Sequence, residues 1–284
     1  MDKKNVKKIV RESYGRIARQ NRSCCSMETS CGCYGNNKFD EISKSIGYAD
    51  ADIKKVPEGS NLGLGCGNPI ALASIKEGEI VLDLGSGAGF DCFLAANKVG
   101  SKGKVIGVDM TQEMLDKARE NVLKGDYKNV EFRLGEIDNL PVADNSIDLV
   151  ISNCVINLTP DKKRVFNEAY RALKPGGRIM ISDMVLLKKL LLPDEVIDVL
   201  DTCGSCITGA IMKKEYINII EESGFIKVEV INEVIFPFDF DIEDATAKEI
   251  IKNIDIKPED IIRIKEDNKD AIASISVYGE KPLK

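Results

Sequence analysis

The sequence predicts an α/β fold built on a mostly parallel sheet with helices on both faces. Two observations carry this. Between residues 79 and 186, short runs rich in Val, Ile and Leu alternate with longer runs of helical periodicity, the pattern of crossover units. The first apolar run also enters a glycine-rich turn, Gly85-Ser86-Gly87-Ala88-Gly89, just where a helix begins.

The elements follow in order. At the start, Val6, Ile9, Val10, Tyr14, Ile17 and Ala18 recur at helical spacing. Next comes a polar loop, SCCSMETSCGCYGNN, with Cys24, Cys25, Cys31 and Cys33, and a second loop, EGSNLGLGCGNP, with Cys66. GEIVLDLGSGAG reads as a buried strand and its turn, and FDCFLAANKVG as the helix behind it. GKVIGVDM is the second strand. TQEMLDKARENVLK is a helix with Thr111 as N-cap. NVEFRLGEI and SIDLVISN are the third and fourth strands. TPDKKRVFNEAYRALKPGG reads as a helix capped by Thr159, with Pro160 at its first position and Gly176–Gly177 as its stop. RIMISDMVL is the fifth strand. FIKVEVINEV and AIASISVYGEK are later strands, separated by an acidic, less regular insertion or cap. The expected organisation is an N-terminal helical and Cys-rich segment over 1–60, a cofactor-binding core over 61–190, and an acceptor-site cap with the closing strands over 191–284.

Composition narrows the chemistry. The 284 residues carry a net charge of −6, which argues against a nucleic-acid partner. No apolar run reaches the length of a membrane span and none follows the first lysines, so the expectation is no membrane, no secretory signal and a cytoplasmic protein. Nine cysteines in a reducing compartment then point to metal binding or redox chemistry. The chain has no histidine, so serine–histidine and cysteine–histidine catalysis and imidazole metal sites are excluded.

The glycine turn has the spacing G-x-G-x-G with Asp83 just before it, whereas a dinucleotide enzyme shows G-x-G-x-x-G. Glycines admit a ligand close to the backbone, and the next helix offers free N–H groups to an anion. Asp109 closes the second strand, where a carboxylate can bind ribose hydroxyls. With Gly135-Glu136-Ile137 at the third strand's end, this combination resembles the class I S-adenosylmethionine-dependent methyltransferases. The resemblance implies a Rossmann-like, seven-stranded fold. It assigns Asp83, Gly85, Ser86 and Gly87 to the methionine side, Asp109 to the ribose, and Glu136 and Ile137 to the adenine, with Met110 and Asn153 as further cofactor-binding residues.

Cys154 appears where the fourth strand ends, and ligands in open α/β sheets bind beyond the carboxyl ends of strands. Cys66 precedes the first strand; Cys203 and Cys206 follow the fifth. The runs NLGLGCGNP, VLDLGSGAGFDC, VIGVDMT, LGEIDNLPVADNSIDLVISNCVINLTPDKKRVFNEAYRALKPGGR and CITGA resemble the bacterial arsenite methyltransferases. That resemblance implies arsenite as acceptor, bound as As(III) by Cys66, Cys154 and Cys206. It also implies a cysteine disulfide formed in turnover and reset by a thiol reductant, glutathione or thioredoxin. Soft thiolates suit such a centre. A bound As(III) retains a lone pair for the methyl, so no general base is needed. Among the N-terminal cysteines the resemblance points to Cys24 or Cys25 as delivery or resolving thiols, while a four-thiolate metal site stays open. Cys92 reads as a buried core residue; Cys203 as a spare thiol, a resolving partner or packing. Two other functions stay open: methyl transfer to carbon or oxygen of a small organic acceptor, and a non-catalytic thiolate sensor.

Overall fold

The computed structural model of the chain describes residues 3–20, 37–193, 197, 206–236 and 258–284. Cys24, Cys25, Cys31, Cys33 and Cys203 therefore lie outside the described residues, as does most of the acidic insertion.

The apolar runs become five parallel strands: β1 (Ile80–Leu84), β2 (Lys104–Asp109), β3 (Val130–Leu134), β4 (Ile147–Asn153) and β5 (Leu173–Leu186). β6 (Ile226–Phe236) and β7 (Ile272–Glu280) extend the sheet, with β7 antiparallel to both β5 and β6. The order is β3-β2-β1-β4-β5-β7-β6, seven strands in all. The strand order reverses between β1 and β4, where the connections leave toward opposite faces and a crevice opens beyond the strand ends.

Helices cover both faces because alternate residues of the central strands point opposite ways. On one face Leu82, Leu84, Val150 and Ile181 pack with α7 (Lys162–Ala172) and α8 (Lys213–Glu222), through Phe166, Ala169, Tyr216 and Ile220. On the other, Val81, Val105, Leu149 and Ile151 pack with α5 (Phe90–Val99) and α6 (Gln112–Gly125), through Phe93, Ala96, Leu115 and Ala118. β1 is buried on both faces from Val81 to Leu84, which is why it reads as an apolar run broken only by Asp83 rather than as an alternating one. The N-terminal helix α1 (Lys3–Gln20) lays Ile17 and Ala18 on Leu62, Ala88 and Met114. Shorter helices α2 (Asn37–Ser45), α3 (Asp50–Ile53) and α4 (Pro69–Leu72) follow it.

Four sequence expectations shift. α7 starts at Lys162, capped by the Asp161 carboxylate, which accepts from the Arg164 N–H at 3.2 Å; Thr159 instead ends a 3-10 turn, Ile156–Leu158. Both residues can cap, and the turn consumes the first. The same helix ends at Ala172, before the glycines. Gly176 and Gly177 lie within β5, where they bond to Lys281 and tie down the C-terminal segment. Thr111 does occupy the N-cap position of α6, but its side chain makes no cap bond and turns to Asp109. Part of the acidic insertion is regular after all: Pro258–Asp267 form α9, with Ile264 buried. No helix among the described residues is long and apolar enough to cross a membrane.

Candidate active site

A cleft opens at the carboxyl ends of β1, β2 and β4, roofed by Lys7, Val10 and Tyr14 of α1. The glycine turn forms its floor. Gly85 sits at φ +68, and a Cβ there would strike Val155 at 2.4 Å. Gly87, at φ +53, faces open space and donates its N–H to Asp109 Oδ2 at 3.0 Å. An L side chain at either position would be strained. Ser86 brings a buried hydroxyl to the cleft that finds no partner among the described residues.

Asp109 accepts from the N–H groups of Gly87 and Thr111, the latter at 2.8 Å, and lies beside Met110 at the cleft wall. Glu136 and Ile137 line the far end. There Lys7 pairs with Glu136 and Asp138, each at 2.8 Å, which fastens α1 over the opening.

The inner end is a buried carboxylate pair. Asp83 accepts from the Cys92 thiol at 3.2 Å. Asp91 accepts from Tyr48 OH at 2.5 Å and from Asn153 Nδ2 at 3.1 Å. Burial, then the charge of Asp91, pushes Asp83 well above the usual carboxylate range. Burial pushes Asp91 up to about 6 and raises Asp109. Asp183, below the thiols, is likewise pushed up to about 6 by burial. The folded protein thus holds these protons more tightly than the unfolded chain. That contribution to stability is complete below the ordinary value of 3.8 and is lost as pH rises through about 6. Ligand-free protein is therefore expected to melt at a higher temperature at pH 5 than at pH 7.5. An equal or lower melting point at pH 5 would contradict the burial of these groups. Asp50 and Glu131, held down to about 2 by surface lysines and arginine, act in a lower pH window and do not interfere.

Next to this cleft the structure gathers Cys66, Cys154 and Cys206 in one apolar pocket, with Met184, Ile264 and Ile272 around them. Their separation in sequence is up to 140 residues (206 − 66). The Cys154 thiol lies close enough to both other thiols to interact with each. All three are free, Cys66 and Cys154 buried and Cys206 half-buried. Contact with Cys206 and Cys66, together with burial, pushes the Cys154 thiol well above its ordinary value, and burial raises Cys66. Cys154 has φ +60, a left-handed conformation that an L side chain adopts at a cost of about 1–2 kcal/mol. Its N–H is held by Ser182 O at 2.8 Å.

A domain profile described as "Methyltransferase domain" matches residues 75–224. An arsenite methyltransferase of Halobacterium salinarum is 50% identical over 234 residues, covering 81% of this chain and 59% of that protein. One of Aquipseudomonas alcaligenes is 40% identical, covering 76% of this chain and 61% of its own length. The chain thus spans about three fifths of these relatives. The crystal structure of an arsenic(III) S-adenosylmethionine methyltransferase from Chlamydomonas reinhardtii superposes with a TM-score of 0.58 at 32% identity, over 85% of this chain and 73% of that one. This chain belongs to the methyltransferase-domain family.

Within this methyltransferase, one residue named from the sequence, Asn153, has a further task, and several others escaped the motif reading. Asn153 lines the cleft, yet its side chain is mainly an anchor for the thiol loop. Its Oδ1 accepts from the N–H of Cys66 at 3.0 Å and of Gly67 at 3.3 Å, while Nδ2 donates to Gly67 O, Tyr48 OH and Asp91. Tyr48 and Asp91 carry no motif and acquire their place only through this network. Ser274, on β7, donates to Cys66 O at 2.6 Å. Asp183 stands at the thiols from β5; an acid at the end of a central strand was the one signal that could have found it. Cys92 is fully buried, as its helical position suggested, but it is bonded to Asp83 rather than merely packed.

Proposed function

We propose that this methyltransferase transfers a methyl group from S-adenosyl-L-methionine to arsenite held as As(III) by Cys66, Cys154 and Cys206. The observation that carries the reading is the meeting of three distant thiols in one pocket beside the cleft. The cleft suits the methyl donor chemically. It offers the Ser86 hydroxyl, unpartnered among the described residues, open backbone at Gly87, and buried acids whose ionised form a cationic ligand would favour. Asp109, with Met110 beside it, would hold the ribose hydroxyls; Glu136 and Ile137 would flank the adenine; Asp83, Gly85 and Asn153 would meet the methionine end. Bound there, S-adenosylmethionine supplies an electrophilic methyl group on a sulfonium.

The protein's own work is to bind and orient. Three sulfurs take three positions on As(III) and leave its lone pair free. Arrangement of acceptor and donor on one scaffold can supply roughly 7–11 kcal/mol toward the barrier. The acceptor atom carries no proton, so the lack of histidine is no obstacle. Cys24 or Cys25 would deliver arsenite or resolve a disulfide, with glutathione or thioredoxin as reductant, and the cytoplasm is the compartment that keeps such thiols reduced.

Incubation with arsenite, methyl-labelled S-adenosylmethionine and glutathione or thioredoxin is expected to place the label on arsenic. Label that reaches only an organic acceptor, or never leaves the donor, would refute the assignment.

A further inference from the structure

Asp183 stands at the thiol pocket with no part in the reaction just described. It is 1% exposed. The ligating atoms of Cys66, Cys154 and Asp183 lie within 4.8 Å of one another. Such a carboxylate can act as a further ligand or as a fixed charge, and its hydrogen bonds decide between the two. Oδ1 accepts from Asn157 Nδ2 at 3.0 Å and Met184 N at 2.9 Å. Oδ2 accepts from Asn157 N at 3.2 Å and Tyr216 OH at 3.1 Å. A carboxylate has about four lone-pair positions. All are taken, so ligation would require breaking one of these bonds. The four donors favour the anionic form against the cost of burial, and Lys162 offsets its charge only from a distance.

A fixed anion sorts thiol-bound centres by their charge. Arsenite enters as a neutral trihydroxide. Three As–O bonds break, three As–S bonds form, and each hydroxide leaves as water with a thiol proton. The product is a neutral complex, with no change of oxidation state. A divalent thiophilic cation such as Cd2+ instead expels three protons and forms a complex of charge −1. Next to Asp183 that leaves two like charges in an apolar pocket, which low dielectric makes costly.

We propose that Asp183 is a specificity-determining residue whose fixed negative charge favours a trivalent centre in the thiol pocket and excludes divalent thiophilic cations. The inference rests on the arsenite-binding thiols of the proposed function.

The test is displacement of bound arsenite by Cd2+ from the full chain, compared between the parent and Asp183→Asn. The remaining cysteines are common to both chains, so the ratio cancels them. The amide variant is expected to release its arsenite at roughly a hundredfold lower Cd2+ concentration, with arsenite affinity itself changed less than about threefold. Tyr216→Phe removes one donor but keeps the charge, and should retain the parent's selectivity. An unchanged displacement concentration in Asp183→Asn overturns the proposal. So does a higher one, which would make the carboxylate a ligand. A parent that takes up no arsenite overturns the thiol-site reading itself, a distinct result visible before any variant is made. Should the amide misfold against four donors, Asp183→Ser carries the same comparison. Failure of both to fold would make Asp183 a scaffold anion and overturn the role.

Discussion

Replacing Cys154 by serine is expected to reduce methylated arsenic by roughly a hundredfold to ten-thousandfold, the factor a tethered chelate loses with one of its arms. Cys154 is the central thiol of the three: it contacts both Cys66 and Cys206. A serine oxygen is harder, smaller and a poor partner for As(III). The substitution leaves the backbone problem untouched, because serine at φ +60 meets the same strain as cysteine. Cys154 also sits apart from the two main core layers, in its own small apolar cluster. Stability should therefore change by no more than about 1–2 kcal/mol. The measurement pairs product analysis with a melting curve. A variant that folds normally and methylates arsenite at the parent rate removes the chemical role from this thiol.

The second large effect belongs to a residue that binds no arsenic. Asn153→Ala is expected to lower folding stability by about 2–4 kcal/mol and arsenite affinity by about tenfold to a hundredfold. One amide side chain satisfies two backbone N–H groups of the thiol loop, one of its carbonyls, Tyr48 and Asp91. Removing it leaves the Cys66 and Gly67 N–H groups unpaired and frees the loop that sets the position of Cys66. It also takes a donor from buried Asp91, whose ionised form that donor favours. Chemical denaturation and equilibrium arsenite binding check the two effects separately. Arsenite affinity within twofold of the parent, despite the stability loss, would show that the Cys66 loop holds its shape without this anchor.

The local reading succeeded where one short segment carries the whole signal. β1 and its turn were legible because a doubly buried strand must be almost continuously apolar, and because positive φ at Gly85 and Gly87 demands glycine. Asp109 was legible because a strand end beside such a turn is where an acid meets a ligand. Helix ends were less secure. Thr159 and Asp161 are both competent caps two residues apart, and the choice fell to a 3-10 turn that no periodicity announces. The glycines after Ala172 looked like a helix stop but serve strand β5, whose partner segment near Lys281 lies about a hundred residues further on.

The resemblance to a known family singled out the cysteines. The amino-acid order alone determined the sheet, the glycine turn and the lack of imidazole chemistry. These follow from patterns within a few residues: periodicity, φ requirements and composition. Tertiary structure alone decided that Cys66, Cys154 and Cys206 share a pocket, that Asn153 ties the thiol loop to Tyr48 and Asp91, and that Asp183 faces the thiols with its lone pairs filled. The physical reason is the sheet order. Placing β4 beside β1 and β5 brings strand ends from separate parts of the chain to one rim. Distances across that rim depend on register and packing, which no local pattern encodes.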